Sequence, residues 1–274
     1  MVRSLWTGAA GMKAQQTSVD TIANNLANVN TTGYKTQSTQ FKSLLYQTIQ
    51  TVSTTSDGTE KPTSAQVGLG SRVAAINASY TQGAMLASDN NMALCIEGSG
   101  FFAVQGVDGG TYYTRNGDFS WATSTNAGQL VLTDDEGHPV LDTAGNRITL
   151  PSGVGTTSVT VGTDGAVAYR RADGTIVRTG QSVGRYQFDN PKGLEKMSDN
   201  LLEATASSGA PINEATTALN ITPSTIAQGY LEGSNVNVAD EMVNLIIAQR
   251  AYEMNSKAIT TSDTMLDEAN QLKR

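Results

Sequence analysis

A single cysteine and a single histidine stand among 274 residues, and aromatic side chains make up only 6% of the chain. One cysteine closes no intramolecular disulfide, and with one histidine beside it no Cys/His metal set can be built. Cys95, inside the apolar run Ala93-Leu94-Cys95-Ile96, reads as a small buried hydrophobe, and His138 falls in the turn Glu136-Gly137-His138-Pro139. No stretch approaches the roughly 18 apolar residues of a membrane span, so membrane insertion is not expected. The opening MVRSLWTGAAGMKAQQ has no apolar signal-peptide core, so any export is expected to proceed without cleavage. Nucleophile elbow, Walker loop and zinc motif are all missing, and Asp134-Asp135-Glu136-Gly137 is too short and wrongly spaced for a calcium loop. No catalytic residue, cofactor or metal is therefore assigned. A net charge of −7 argues against nucleic acid as a partner.

What the chain does have is glycine, 27 of them, with abundant Thr, Ser, Asn and Gln. Between about Val67 and Gln228, alternating apolar runs such as Phe101-Phe102-Ala103-Val104, Leu130-Val131-Leu132 and Val159-Thr160-Val161 predict short strands. Hairpin turns are expected at Asp108-Gly109, Asn116-Gly117, Glu136-Gly137, Asp164-Gly165 and Asp173-Gly174.

Both ends predict helices. Leu5, Met12, Val19 and Leu26 stand seven apart, with Ile22 and Val29 on a flanking position. Gly8 and Gly11 weaken that helix by about 1 kcal/mol each against alanine, so close backbone approach must reward them. Near the other end Val238, Leu245, Tyr252, Ile259 and Leu266 repeat the spacing, with Ala251, Ala258, Met265 and Leu272 beside them. Asn28-Val29-Asn30 recurs as Asn235-Val236-Asn237: the first closes a helix that leads into the middle of the chain, with Asn28 and Gly33 at its end. The second opens the returning helix, capped by Asn237 and Asp240. The two helices are expected to lie antiparallel, a coiled-coil-like pair attached to a β-body, giving an α+β fold. Residues 1–46 carry Arg3, Lys13, Lys35 and Lys42 against Asp20, whereas 230–274 hold seven acids against four bases, which favours their pairing. One such pair leaves wide apolar rows uncovered, so neighbouring copies must supply the rest. Residues 47–66, rich in Ser and Thr, read as a loop or extended arm, with Thr51, Ser53, Asp57, Glu60, Lys61 and Pro62 available to an adjacent subunit. A secreted adhesin or wall-cleaving enzyme would also suit helices joined to a β-body; polymerisation into tubes would tell against it.

Several phrases resemble the axial rod and hook proteins of the bacterial flagellum. They are Ser4-Leu5-Trp6, Ile22-Ala23-Asn24-Asn25-Leu26-Ala27-Asn28-Val29 leading to Thr32-Gly33-Tyr34-Lys35, Tyr113-Thr114-Arg115-Asn116-Gly117-Asp118-Phe119, and Ser234-Asn235-Val236-Asn237-Val238 running to Ala258. Leu44-Leu45-Tyr46-Gln47-Thr48-Ile49 before the polar arm, with Gln228-Gly229-Tyr230-Leu231-Glu232, is most similar to the distal rod members; a proximal rod or hook-like protein is the alternative. The resemblance implies a self-assembling, non-enzymatic subunit of a rigid tube that crosses the periplasm as drive shaft and export channel. It implies export by the flagellar type III apparatus, proximal rod proteins below, hook protein above and bushing rings around. Terminal segments 1–32 and 236–274 would line the tube, 33–66 and 226–235 would connect, and 67–225 would form an outer β-rich domain.

Overall fold

The computed structural model describes residues 2–50, 64–123, 129–151, 154–171, 173–198, 200–216 and 221–272. The proposed arm residues Thr51, Ser53, Asp57, Glu60, Lys61 and Pro62 lie outside them. The architecture is α+β: an N-terminal helix, a C-terminal helix and a mostly β middle. The chain forms two compact units, a helical unit of residues 1–27, 37–78 and 237–274 and a β unit of residues 28–36 and 79–236. This division differs from the zones drawn on sequence, because 37–78 groups with the helices and 28–36 with the β-body.

The helical unit is built on α1 (Val2–Ala27) and α2 (Val238–Gln271). Asn237 has extended backbone and its side chain accepts from the Ala239 amide at 3.1 Å, while Asp240 and Glu241 sit in the first turn, where the helix dipole favours acids. Reading α1 forward pairs it with α2 backward. Ser4 Oγ lies 3.0 Å from Ser262 Oγ, and Asn25 Nδ2 donates to Glu241 Oε2 at 3.3 Å. Between these points a Cβ on Gly8 would fall 2.9 Å from Ile259 Cγ1, and one on Gly11 2.9 Å from Asn255 Nδ2. The two glycines thus occupy places where α2 leaves no room for a side chain.

Four strands complete this unit: β1 (Gln37–Ser43) pairs with β4 (Ser71–Ala78), and β2 (Tyr46–Gln50) with β3 (Ala65–Gly68), all antiparallel. Residues 47–50 and 65–66, at the two ends of the stretch read as a loop or extended arm, lie in these paired strands. Gln47, Thr48, Gln50 and Gln66 leave too weak an apolar alternation to mark strands in the sequence. Gly70, at φ +110°, sits against Thr7 and Ala10 of α1, where the ladder changes from one pair of strands to the other.

The β unit centres on a six-stranded sheet in which 101–105 lies between 111–114 and 185–187. Alternation along 101–105 sends Phe102 and Val104 into a cluster with Phe119, Leu132, Val140 and Ile148, and Phe101 and Ala103 into a second with Tyr113, Phe188 and Leu202. Both faces of this strand are covered, which explains its unbroken apolar run. The rings of Tyr113 and Phe188 meet edge to face at 4.8 Å. Gly109, Gly137, Gly165 and Gly174 turn with φ between +81° and +90°. Asn116-Gly117 is no hairpin turn: a Cβ on Gly117 would fall 1.6 Å from the Leu94 carbonyl oxygen, so this glycine serves close approach of two chain segments.

Candidate assembly surfaces and a buried clamp

The places where the chain enters and leaves the β unit are held by a charged clamp. Glu232, 1% exposed, accepts from Lys35 Nζ at 2.6 Å and from the Gly83 amide at 2.9 Å through one oxygen, and from Arg115 Nη1 at 3.0 Å through the other. Lys35 also donates to the Thr81 carbonyl at 2.8 Å, Arg115 to the Gly98 carbonyl at 2.6 Å, and the Glu232 carbonyl accepts from the Gly33 amide at 2.8 Å. Burial holds the Lys35 ammonium below the usual lysine range, opposed by its bond to Glu232. Beside the clamp, Asn235 accepts from the Thr36 amide and hydroxyl, each at 2.7 Å, and donates to the carbonyls of Ser79 at 2.9 Å and Thr81 at 3.0 Å. One asparagine side chain therefore joins three chain segments that meet at the unit's edge.

Asn25 does comparable work in the helical unit. It accepts from the Gln37 amide at 2.9 Å, donates to the Gln37 carbonyl at 2.8 Å and reaches Glu241. The asparagines of the two recurring phrases thus divide between ends and stitches. Asn237 caps α2, and Asn28 follows the last residue of α1, its carbonyl accepting from the Thr31 amide at 3.2 Å. Gly33 takes φ +69° with its Cα against the Arg115-Asn116 backbone. Asn235, in the phrase that opens α2, is a stitch, as is Asn25 just ahead of the first phrase. Lys35, Arg115 and Glu232 lie inside the recognised phrases, and Lys35 and Glu232 also enter the charge balance of the two ends. The available signal was three charges placed beside Gly or Asn turns in a chain only 16% charged.

The proposed seam residues fall into two groups. Ile22 is buried, and Leu5, Met12, Val19, Leu26, Val29, Leu245, Ala251, Ile259 and Leu266 are half-buried. Val238, Tyr252, Ala258 and Met265 are exposed. A side of α2 that sequence reasoning passed over is still more open: Met242, Val243, Ile246, Ile247 and Met254 are all more than half exposed. The continuous apolar stretch 245–248 was the legible sign that no single face could cover this helix. Among the described residues no ion pair joins α1 to α2; the pair that links the N- and C-terminal segments is Lys35–Glu232.

Cys95 is buried and unpaired, and burial followed by the Glu232 carboxylate pushes its thiol up to about 11. Its share of stability is present below the ordinary thiol value of about 8.5 and is lost as pH rises through the folded value. Alkylation of the folded chain at pH 8 is expected to leave Cys95 unmodified, with complete reaction in denaturant; rapid labelling under native conditions would show the pocket open. His138 Nδ1 lies 3.0 Å from Asp134 Oδ2, in a turn where the same aspartate accepts from the Glu136 and His138 amides. No cluster suited to a metal ion and no helix long and apolar enough to span a membrane occurs among the described residues.

Three family models match in order along the chain: flagella basal body rod protein over residues 5–35, flagellar hook protein FlgE/F/G D1 domain over 95–169, and flagellar basal body rod FlgEFG protein C-terminal over 227–272. The flagellar basal-body rod protein FlgG of Buchnera aphidicola subsp. Acyrthosiphon pisum is 42% identical, covering 99% of this chain and all of that one. FlgG of Borreliella burgdorferi is 41% identical and FlgG of Bacillus subtilis 38%, each aligned over the whole of both chains. With such identity along its entire length, the chain belongs to the flagellar basal-body rod protein family.

Proposed function

We propose that this chain, a non-enzymatic structural subunit of the flagellar distal rod, works by polymerising through its terminal helices into a stiff tube. The observation that carries the reading is the open apolar side of α2, which a lone subunit leaves in water. In the polymer, the heptad rows of 1–32 and 236–274 would pack as antiparallel, coiled-coil-like pairs lining the tube, with 67–225 as outer domain. The tube would cross the periplasm as drive shaft and export channel. Proximal rod proteins below, hook protein above, surrounding rings and the type III export apparatus are its proposed partners.

Concentrating the purified chain should give straight tubes by electron microscopy; a chain that stays monomeric at every concentration would defeat the reading. Stiffness is assigned to the arm, whose residues Thr51, Ser53, Asp57, Glu60, Lys61 and Pro62 can reach an adjacent subunit through many weak polar contacts. Removing 51–63, while keeping β2 and β3, is expected to leave thermal stability of the β unit unchanged and to yield curved or more flexible polymer. Equally straight tubes from the deleted chain would remove that role.

A further inference from the structure

The β2–β3 hairpin is an isolated two-stranded ribbon, a structure of marginal stability in water. Tyr46 covers one side, its ring 3.3 Å from where a Cβ of Gly68 would be. The other side holds Val67, opposite Gln47, with Leu45 and Leu69 flanking it, and Ile49 stands unpaired at the register shift between Thr48 and Gln50. Leu45 is 84% and Ile49 61% exposed, and no charge occurs in 43–50 or 64–71. At its base Lys42 stands directly opposite Arg72 in the β1–β4 register, a like-charge pair that disfavours the ladder. Neither has an acidic partner among the described residues.

The complement is on α2. Asp240, Val243, Ile247 and Met254 follow one helical stripe; the three apolar ones are 56%, 61% and 67% exposed, and Asp240 has no ion-pair partner among the described residues. The stripe is about 21 Å long at 1.5 Å per residue. Lys42 to Ile49, which crosses the break between β1 and β2 at residues 44–45, reaches at most about 23 Å. We propose that the hairpin of one copy docks along this stripe of a second copy, apolar face on apolar face, with Lys42 and Arg72 reaching Asp240. The inference rests on the self-assembly reading. Two different patches on one chain make a heterologous contact, which propagates instead of closing as a dimer.

The test uses full-length chains carrying Leu45→Cys and Ile247→Cys on a Cys95→Ala background, polymerised and then oxidised. A ladder of disulfide-linked dimers and higher oligomers is expected, with none from either single-cysteine chain. Polymer without a ladder, or cross-linking by Leu45→Cys alone, would overturn the proposal; an unsubstituted chain that never polymerises would instead count against the self-assembly reading. Where the cysteines block growth, a charge exchange decides. Lys42→Glu with Arg72→Glu should lower the growth rate at least tenfold at low salt, and adding Asp240→Lys should restore it. Unchanged growth of the first, or no restoration by the second, refutes the docking.

Discussion

Glu232→Ala should lower the stability of the β unit by about 3–5 kcal/mol, the usual cost of removing one partner from a buried ion pair. Two cations would remain, Lys35 and Arg115, each with one carbonyl acceptor and neither with a counter-charge. Arg115 would keep the face of Phe101, whose ring centre lies 5.1 Å from its guanidinium carbon, as a weak substitute. The denaturant midpoint, followed by Tyr and Trp fluorescence, measures the loss. The sign of the pH dependence is also fixed. Because burial lowers the Lys35 value in the folded state, folding favours the neutral amine, so stability rises with pH from the folded value up to the ordinary 10.5. The deficit of Glu232→Ala should therefore shrink towards pH 10. A loss below about 1 kcal/mol would show that water already screens the clamp. Replacing all three charges by apolar residues of similar volume is expected to be far less damaging than removing Glu232 alone.

Ile259→Asp is expected to abolish polymer formation while sparing the β unit. Ile259 packs on α1 at Gly8, so the substitution replaces that apolar contact by a carboxylate held partly out of water. The cost is several kcal/mol per subunit, repeated at every contact of the polymer. Cys95 provides the control, since it sits in the other unit and should stay protected from alkylation in the variant. Normal tubes from Ile259→Asp would mean that this seam does not support assembly.

The outline of the fold was legible because its signals are local. Asn237 before an acid-rich turn marks the start of α2, and Asn28 with Gly33 marks the end of α1, since capping chemistry acts over three or four residues. The glycine turns of the β unit were legible for the same reason, apart from Gly117, whose constraint comes from Leu94. The clamp was not legible, because Lys35, Arg115 and Glu232 are far apart in sequence and nothing in their immediate neighbourhoods says that they meet. Nor was the open side of α2, where a heptad template selected Leu245 and passed over the more exposed Ile246 and Ile247. A helix that is apolar on several sides defeats any search for one seam.

The clamp also sets an order of events. Lys35 finds its carboxylate 197 residues later, Thr36 finds Asn235 after 199, and Asn25 finds Glu241 after 216. A chain emerging from its N-terminus can form the hairpins of 101–187 locally, but these long closures wait for the last segment to appear. Until then α1 has no α2 beside it, and Arg115 and Lys35 lack their counter-ion. Completion of the subunit is therefore delayed to the final fifth of the chain. A molecule still in transit would be an incomplete building block, unable to add to an assembly before its tail has arrived.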